Sequence, residues 1–192
     1  MDFAKQCLDT SLKIIASPTP ATFSAEAGKG NKRFSGIVVW LVLFAIYVSI
    51  MVTIGTENLL VAPVIAITLS IFIPATVILA VSAANLVYQK VFHHNKYIYD
   101  KILYISTAII VSIQVIALPA ILLIPESFKD FLGYAVWVYQ FALLSVAFKS
   151  ISGLKYWQSF ITTIIAVFAG IGIWLCLGPF LFSMMSGVAS VF

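Results

Sequence analysis

The stretch "FSGIVVWLVLFAIYVSIMVTI", residues 34–54, decides the fold. It carries no charged residue over the roughly 20 positions that a helix needs to cross a hydrocarbon layer about 30 Å thick. It also lacks the polar face that a surface helix of a soluble domain would show. Four further runs of the same kind follow, at residues 59–84, 102–124, 131–148 and 156–180. The reading is an all-α polytopic transmembrane helix bundle of five spans, preceded by an N-terminal cytoplasmic segment. Two regions result: residues 1–33, and a transmembrane domain at residues 34–192.

Composition agrees with lipid as the solvent. The chain is 62% hydrophobic and 9% charged, with a mean hydropathy of +1.09, whereas soluble domains carry about 25% charged residues. Eleven basic and seven acidic side chains cannot form a polar shell for 192 residues. The pI near 9.1 does not point to nucleic acid, because the basic residues are spread between apolar runs rather than gathered with base-stacking aromatics.

Their spread sets the orientation instead. Lys5, Lys13, Lys29, Lys32 and Arg33 precede the first span, Lys90, Lys96 and Lys101 lie between the second and third, and Lys149 and Lys155 between the fourth and fifth. The opposite side holds only Lys129. The positive-inside rule then predicts a cytoplasmic N-terminus and an external C-terminus. A cleavable signal peptide is not expected, since "MDFAKQCLDTSLKIIASP" has no basic start followed by an unbroken apolar core. Cys7 and Cys176 fall on opposite sides of the bilayer in this topology, too far apart for a disulfide. The apolar stretch 180–192 is too short to return across the membrane and reads as an extension of the fifth helix or an interfacial tail.

Residues 1–16 set Phe3, Cys7, Leu8, Leu12 and Ile15 at helical spacing, with Lys5, Asp9 and Lys13 four apart on another face. This predicts an amphipathic helix on the cytoplasmic leaflet, or a docking surface for a protein. "SPTP" ends it, and "ATFSAEAGKGNKR", residues 21–33, reads as a flexible basic tether.

Catalysis is not expected. Ionisable residues inside spans mark functional sites, and here Glu57, Asp100, Glu126 and Asp130 fall in loops or at span ends. His93 and His94 are adjacent and would diverge by about 100° on a helix, so no metal site is expected of them; no phosphate loop or nucleophile elbow occurs, and no cofactor is implied. Uncharged amides remain: Gln114 and Gln140 mid-span and Asn85 near the end of the second span, suited to interhelical hydrogen bonds or to a pocket. Small residues recur four apart as Ala62, Ala66 and Ser70, and as Thr162, Ala166 and Gly170, as in close helix packing or a homo-oligomer seam. Phe92, Tyr97 and Tyr99, Tyr156 and Trp157, and Tyr134 and Trp137 look like interfacial belts. "AFKSISGLKYWQSF", residues 147–160, reads as the turn of a cytoplasmic helical hairpin.

With this layout, "LKIIASPTPATF" (residues 12–23) before the first span and the hairpin "VWVYQFALLSVAFKSISGLKYWQSFITTIIAVF" (residues 136–168) resemble the small prokaryotic form of the Yip1 family. The "DLYGP"-like stretch and long cytoplasmic region of eukaryotic members are missing, so GTPase binding does not carry over. The resemblance implies a non-enzymatic membrane scaffold or adaptor in the inner membrane of a prokaryote. It would organise protein partners or lipids at the cytoplasmic face through Lys90, Lys96, Lys101, Lys149 and Lys155. The competing expectation is a small-solute-binding or membrane-embedded subunit of a transporter, its pocket lined by Gln114, Gln140, Asn85 and Trp137.

Overall fold

In the computed structural model, the described residues are 2–30, 34–56, 62–94, 96 and 98–189. Lys32, Arg33, Glu57 and Tyr97, which the sequence singles out, lie outside them. The described residues form seven α-helices and no strand: α1 (Asp2–Ala16), α2 (Pro20–Ala27), α3 (Phe34–Thr56), α4 (Ala62–Leu86), α5 (Tyr99–Leu123), α6 (Glu126–Ser152) and α7 (Tyr156–Ala189). A 3₁₀ turn at Gly28–Gly30 follows α2, and a π-turn at Val87–Val91 continues α4. Four helical stretches, Thr68–Val91, Tyr99–Leu123, Glu126–Ser152 and Tyr156–Cys176, are long and apolar enough to cross a membrane. The 23-residue α3 contains the apolar run that opened the sequence analysis.

Local chemistry fixes several helix ends. Pro63 lies in the first turn of α4, where its missing N–H costs nothing. Glu126 opens α6, placing a negative charge at the positive end of the helix dipole. Gly153 closes α6 at φ 74° and donates its backbone N–H to the Lys149 carbonyl at 3.0 Å, a left-handed cap that glycine adopts without a Cβ clash. Two residues on, the Lys155 N–H donates to Gln158 Oε1 at 3.0 Å, the reach-back half of a capping box that starts α7. The hairpin expected from "AFKSISGLKYWQSF" is therefore built from one cap and one start signal placed back to back.

Helices α4, α5, α6 and α7 form a ring in which each packs on the next and α7 returns to α4, while α3 packs across α4 and α5. The small stripe of α7 faces α4: Thr162 and Ala166 are buried, and a Cβ on Gly170 would stand 3.4 Å from Thr76 Cγ2 and 3.9 Å from Ala80 Cβ. These small residues thus bring α7 close to α4 within one chain. Along α5, residues 102 to 109 are buried all round, so α5 is the central helix. Outward, Leu43, Ile46, Ile50, Ile71, Leu122, Phe131, Val138, Phe168 and Leu175 are exposed, a surface that lipid tails solvate and water would not.

The N-terminal segment departs from the sequence expectation. Residues 20–27 are not a tether but a helix: Pro20 sits at its first position, and the Thr19 hydroxyl accepts the Thr22 N–H at 3.2 Å. Phe23 is fully buried in the core beside α5 and α6, and the Ser24 hydroxyl donates to the Ser150 carbonyl at 3.1 Å. At the other end of the chain, α7 continues as helix through Pro179 to Ala189, the extension rather than a separate interfacial segment.

Candidate functional site

Helices α1 and α2 cap the end of the bundle where α5 and α7 start and α6 stops. Under this cap lies a buried carboxylate that no local pattern in the chain foretells. Glu26 is 5% exposed; its Oε2 accepts the Thr10 hydroxyl at 2.7 Å and an ammonium hydrogen from Lys29. Lys13 reaches its Oε1 at 3.6 Å and Asp9 Oδ2 at 3.0 Å, and Lys29 lies 3.9 Å from the same Asp9 oxygen. Thr10 has one hydroxyl hydrogen and gives it to Glu26, so its 2.9 Å contact with Tyr104 is a bond in which the tyrosine O–H donates. A directed chain thus runs from Tyr104 on α5 through Thr10 on α1 to Glu26 on α2. Burial pushes the Glu26 pKa up, but hydrogen bonds from Lys29 and Thr10 and the charges of Lys29 and Lys13 outweigh it and hold the carboxyl below its ordinary value. Asp9 is lowered too, chiefly by its hydrogen bond with Lys13, whose own pKa is raised by that bond.

Two charges of each sign close on one another here, so the cap is nearly neutral within itself. Its outer face is not polar, however. Helix α1 turns Thr10, Ser11 and Ile14 inward and leaves Leu8, Leu12 and Ile15 exposed at 60%, 57% and 43%. The i, i+4 pair Asp9–Lys13 expected from spacing is present, and three of the five apolar residues expected on one face form this outward stripe. The side chains of Phe3 and Cys7 lie outside the described residues.

The five candidate lysines all belong to this end. Lys90 on the π-turn, Lys96 and Lys155 are exposed, whereas Lys101 is half-buried on the first turn of α5. Lys149 places its ammonium 3.2 Å from the centre of the Tyr156 ring, a cation–π contact that ties it to the start of α7. Beside them, Phe92 packs edge-on to Trp157 at 5.8 Å, and His94 stacks on the buried Tyr88 at 4.9 Å. No cluster of three metal-ligating side chains occurs among the described residues.

Of the four residues expected to line a pocket, the structure brings three together. Gln114 Nε2 donates to Gln140 Oε1 at 3.4 Å and Gln140 Nε2 to the Ile110 carbonyl at 3.5 Å, joining α5 to α6. Both amides and Trp137 line one cavity inside the bundle. Asn85 does not line it: it is the penultimate residue of α4, its buried Oδ1 without a hydrogen-bond partner among the described residues. Comparison of the chain with models of protein families, with curated proteins and with solved structures finds no match.

Proposed function

We propose that the chain is a non-enzymatic integral membrane adaptor of the Yip1-like kind, with five crossings, a cytoplasmic N-terminus and an external C-terminus, that gathers anionic lipid at its cytoplasmic face. The observation that carries this reading is the outward stripe Leu8, Leu12 and Ile15 on a docked helix, at the same end as the exposed Lys90, Lys96 and Lys155. An apolar stripe at headgroup depth inserts into the acyl boundary, and lysines around it attract anionic headgroups, each worth about 1 kcal/mol near the surface. Because Lys13 and Lys29 of the cap are neutralised by Asp9 and Glu26, the loop lysines, with the exposed Lys5, supply the attraction. The 23-residue α3, whose described apolar part is the shorter Ile37–Met51, supports a fifth crossing beside the four long apolar helices, and the positive-inside rule supports the lysine-rich end as the cytoplasmic one.

Native mass spectrometry of the protein taken directly from its membrane into lipid discs tests the proposal. The expected result is enrichment of anionic lipid that is lost when Lys90, Lys96, Lys149 and Lys155 are replaced by glutamine, with topology verified as unchanged. A stoichiometric protein partner lost in the same variant would replace lipid by protein as the occupant. No change in either would remove the lysines from the function.

A further inference from the structure

We propose a second site, independent of the cytoplasmic face: the cavity inside the helix ring holds one molecule of an uncharged, chain-like amphiphile drawn from the bilayer. The cavity measures about 350 Å³, more than twice the roughly 150 Å³ at which an apolar protein cavity already takes up a small hydrocarbon. Close packing is the rule in protein interiors, and walls without neighbours forfeit their dispersion contacts. All five long helices contribute to the wall, so the void is a property of the whole bundle and not of one loose contact.

Its shape and lining state what fits. The wall extends from Ser106 to Leu118 on α5 and from Thr163 to Trp174 on α7, about 16–18 Å along the helices at 1.5 Å per residue. This is a slot for a chain. Among the described residues no Asp, Glu, Lys, Arg or His lines it, which disfavours a charged headgroup inside. The polar atoms are few. Gln114 and Gln140 hold each other through bonds of 3.4 and 3.5 Å, long for amides, so their hydrogen-bonding capacity is under-used. Thr76, also in the wall, has a buried hydroxyl with no partner among the described residues. A hydroxyl or carbonyl on the guest would meet these groups.

The way in points to lipid. Trp137 and Trp174 line the cavity and are also 58% and 41% exposed on the outside of the bundle. Trp137 is the seventh residue of the apolar run 131–148 and also borders a second pocket with Lys129, Asp130 and Tyr134, so this opening lies in the half of the bundle nearer the α5–α6 turn. With Trp137 and Trp174 exposed on the outside of the bundle beside an apolar wall, a membrane amphiphile would enter sideways.

The test uses the full-length protein in lipid discs, titrated with farnesol, a C15 isoprenoid alcohol, and with the matching hydrocarbon that lacks the hydroxyl, each in radiolabelled form. Saturable binding near one alcohol per chain is expected, at least tenfold tighter than the hydrocarbon. In Gln114→Leu/Gln140→Leu that preference falls below twofold, while Val167→Phe, which fills the wall, lowers binding of both probes. Non-saturable uptake by the wild type, or equal affinity for alcohol and hydrocarbon, overturns the proposal, and this comparison needs no variant to fold. An unchanged preference in the double leucine variant overturns the assignment of the amides. Neither outcome bears on lipid at the loop lysines.

Discussion

Replacing Glu26 by alanine tests whether the buried chain from Tyr104 through Thr10 holds the cap on the bundle. The substitution removes the Thr10 bond at 2.7 Å and the Lys29 contact. Hydrogen bonds to a charged group contribute about 1.5–3 kcal/mol each. The lysine term is at the low end or less, because Lys29 and Lys13 are partly exposed and regain water when released. Alanine also returns a few tenths of a kcal/mol in helix propensity. A net loss of about 2 kcal/mol remains, close to a 30-fold increase in the open fraction at about 1.4 kcal/mol per decade. Hydrogen exchange in lipid discs reads this directly: protection of amides in α1 and α2 is expected to fall about 30-fold, with α6 unchanged. Tyr104→Phe removes the neutral bond to Thr10 at the other end of the chain, so a fall of at least about fivefold in the same peptides is expected. If Glu26→Ala leaves α1 protected as before, or lowers protection equally through α6 and α7, the charge does not latch the cap and the reasoning fails.

Acidification should do the same work by protonation. A carboxyl held below its ordinary value of 4.5 stabilises the docked state fully above that value and loses the contribution as pH falls through its own lower pKa; loss of α1 protection, corrected for intrinsic exchange, should therefore set in only below about pH 4.5 and be smaller in Glu26→Gln, where only the exposed Asp9 still titrates. Phe23→Ala empties a fully buried site and is expected to cost about 3–5 kcal/mol, seen as proteolytic cleavage within residues 17–30 of protein that still spans the disc. Gly153→Ala forces a Cβ into the left-handed cap at φ 74° and is expected to destabilise by about 1 kcal/mol in thermal melts. A single cysteine introduced at the exposed Ser17 in a cysteine-free background should resist a membrane-impermeant maleimide in intact cells and react after lysis. Labelling in intact cells would invert the orientation.

The parts that could be read from the chain were those set by solvent and by local chemistry. Uncharged runs identified the long helices because hydrocarbon excludes charge. Gly153 between Lys149 and Lys155 marked the hairpin, and the amides at Gln114 and Gln140, suited by type to interhelical bonds or to a pocket, bond to each other between α5 and α6. Helix α2 was missed although its start signal, threonine followed by proline, stood in the sequence; the short "AEAGKG" beyond it looked like linker, and eight residues make no periodic pattern. Glu26 could not be recognised as buried, because its partners Thr10 and Tyr104 lie 16 residues from it and, for the second link, 94 residues apart. The cavity is the product of five surfaces failing to meet, which no single segment encodes. Asn85 was placed in it by residue type alone, whereas its level on α4 keeps it away.

Helix α7 has a mechanical consequence. Its 34 residues make a rod about 51 Å long, against a hydrocarbon thickness of about 30 Å. Tilting alone would require more than 50°, beyond the roughly 0–40° that membrane helices adopt. The segment from Tyr156 to Gly178 already matches the membrane with modest tilt, and Pro179 follows at the point where the match is complete. The last turns, apolar in sequence, must therefore bend away at the proline or draw the leaflet up around them, and thickening the bilayer relieves that mismatch. Bilayer thickness thus becomes a variable that this helix can report.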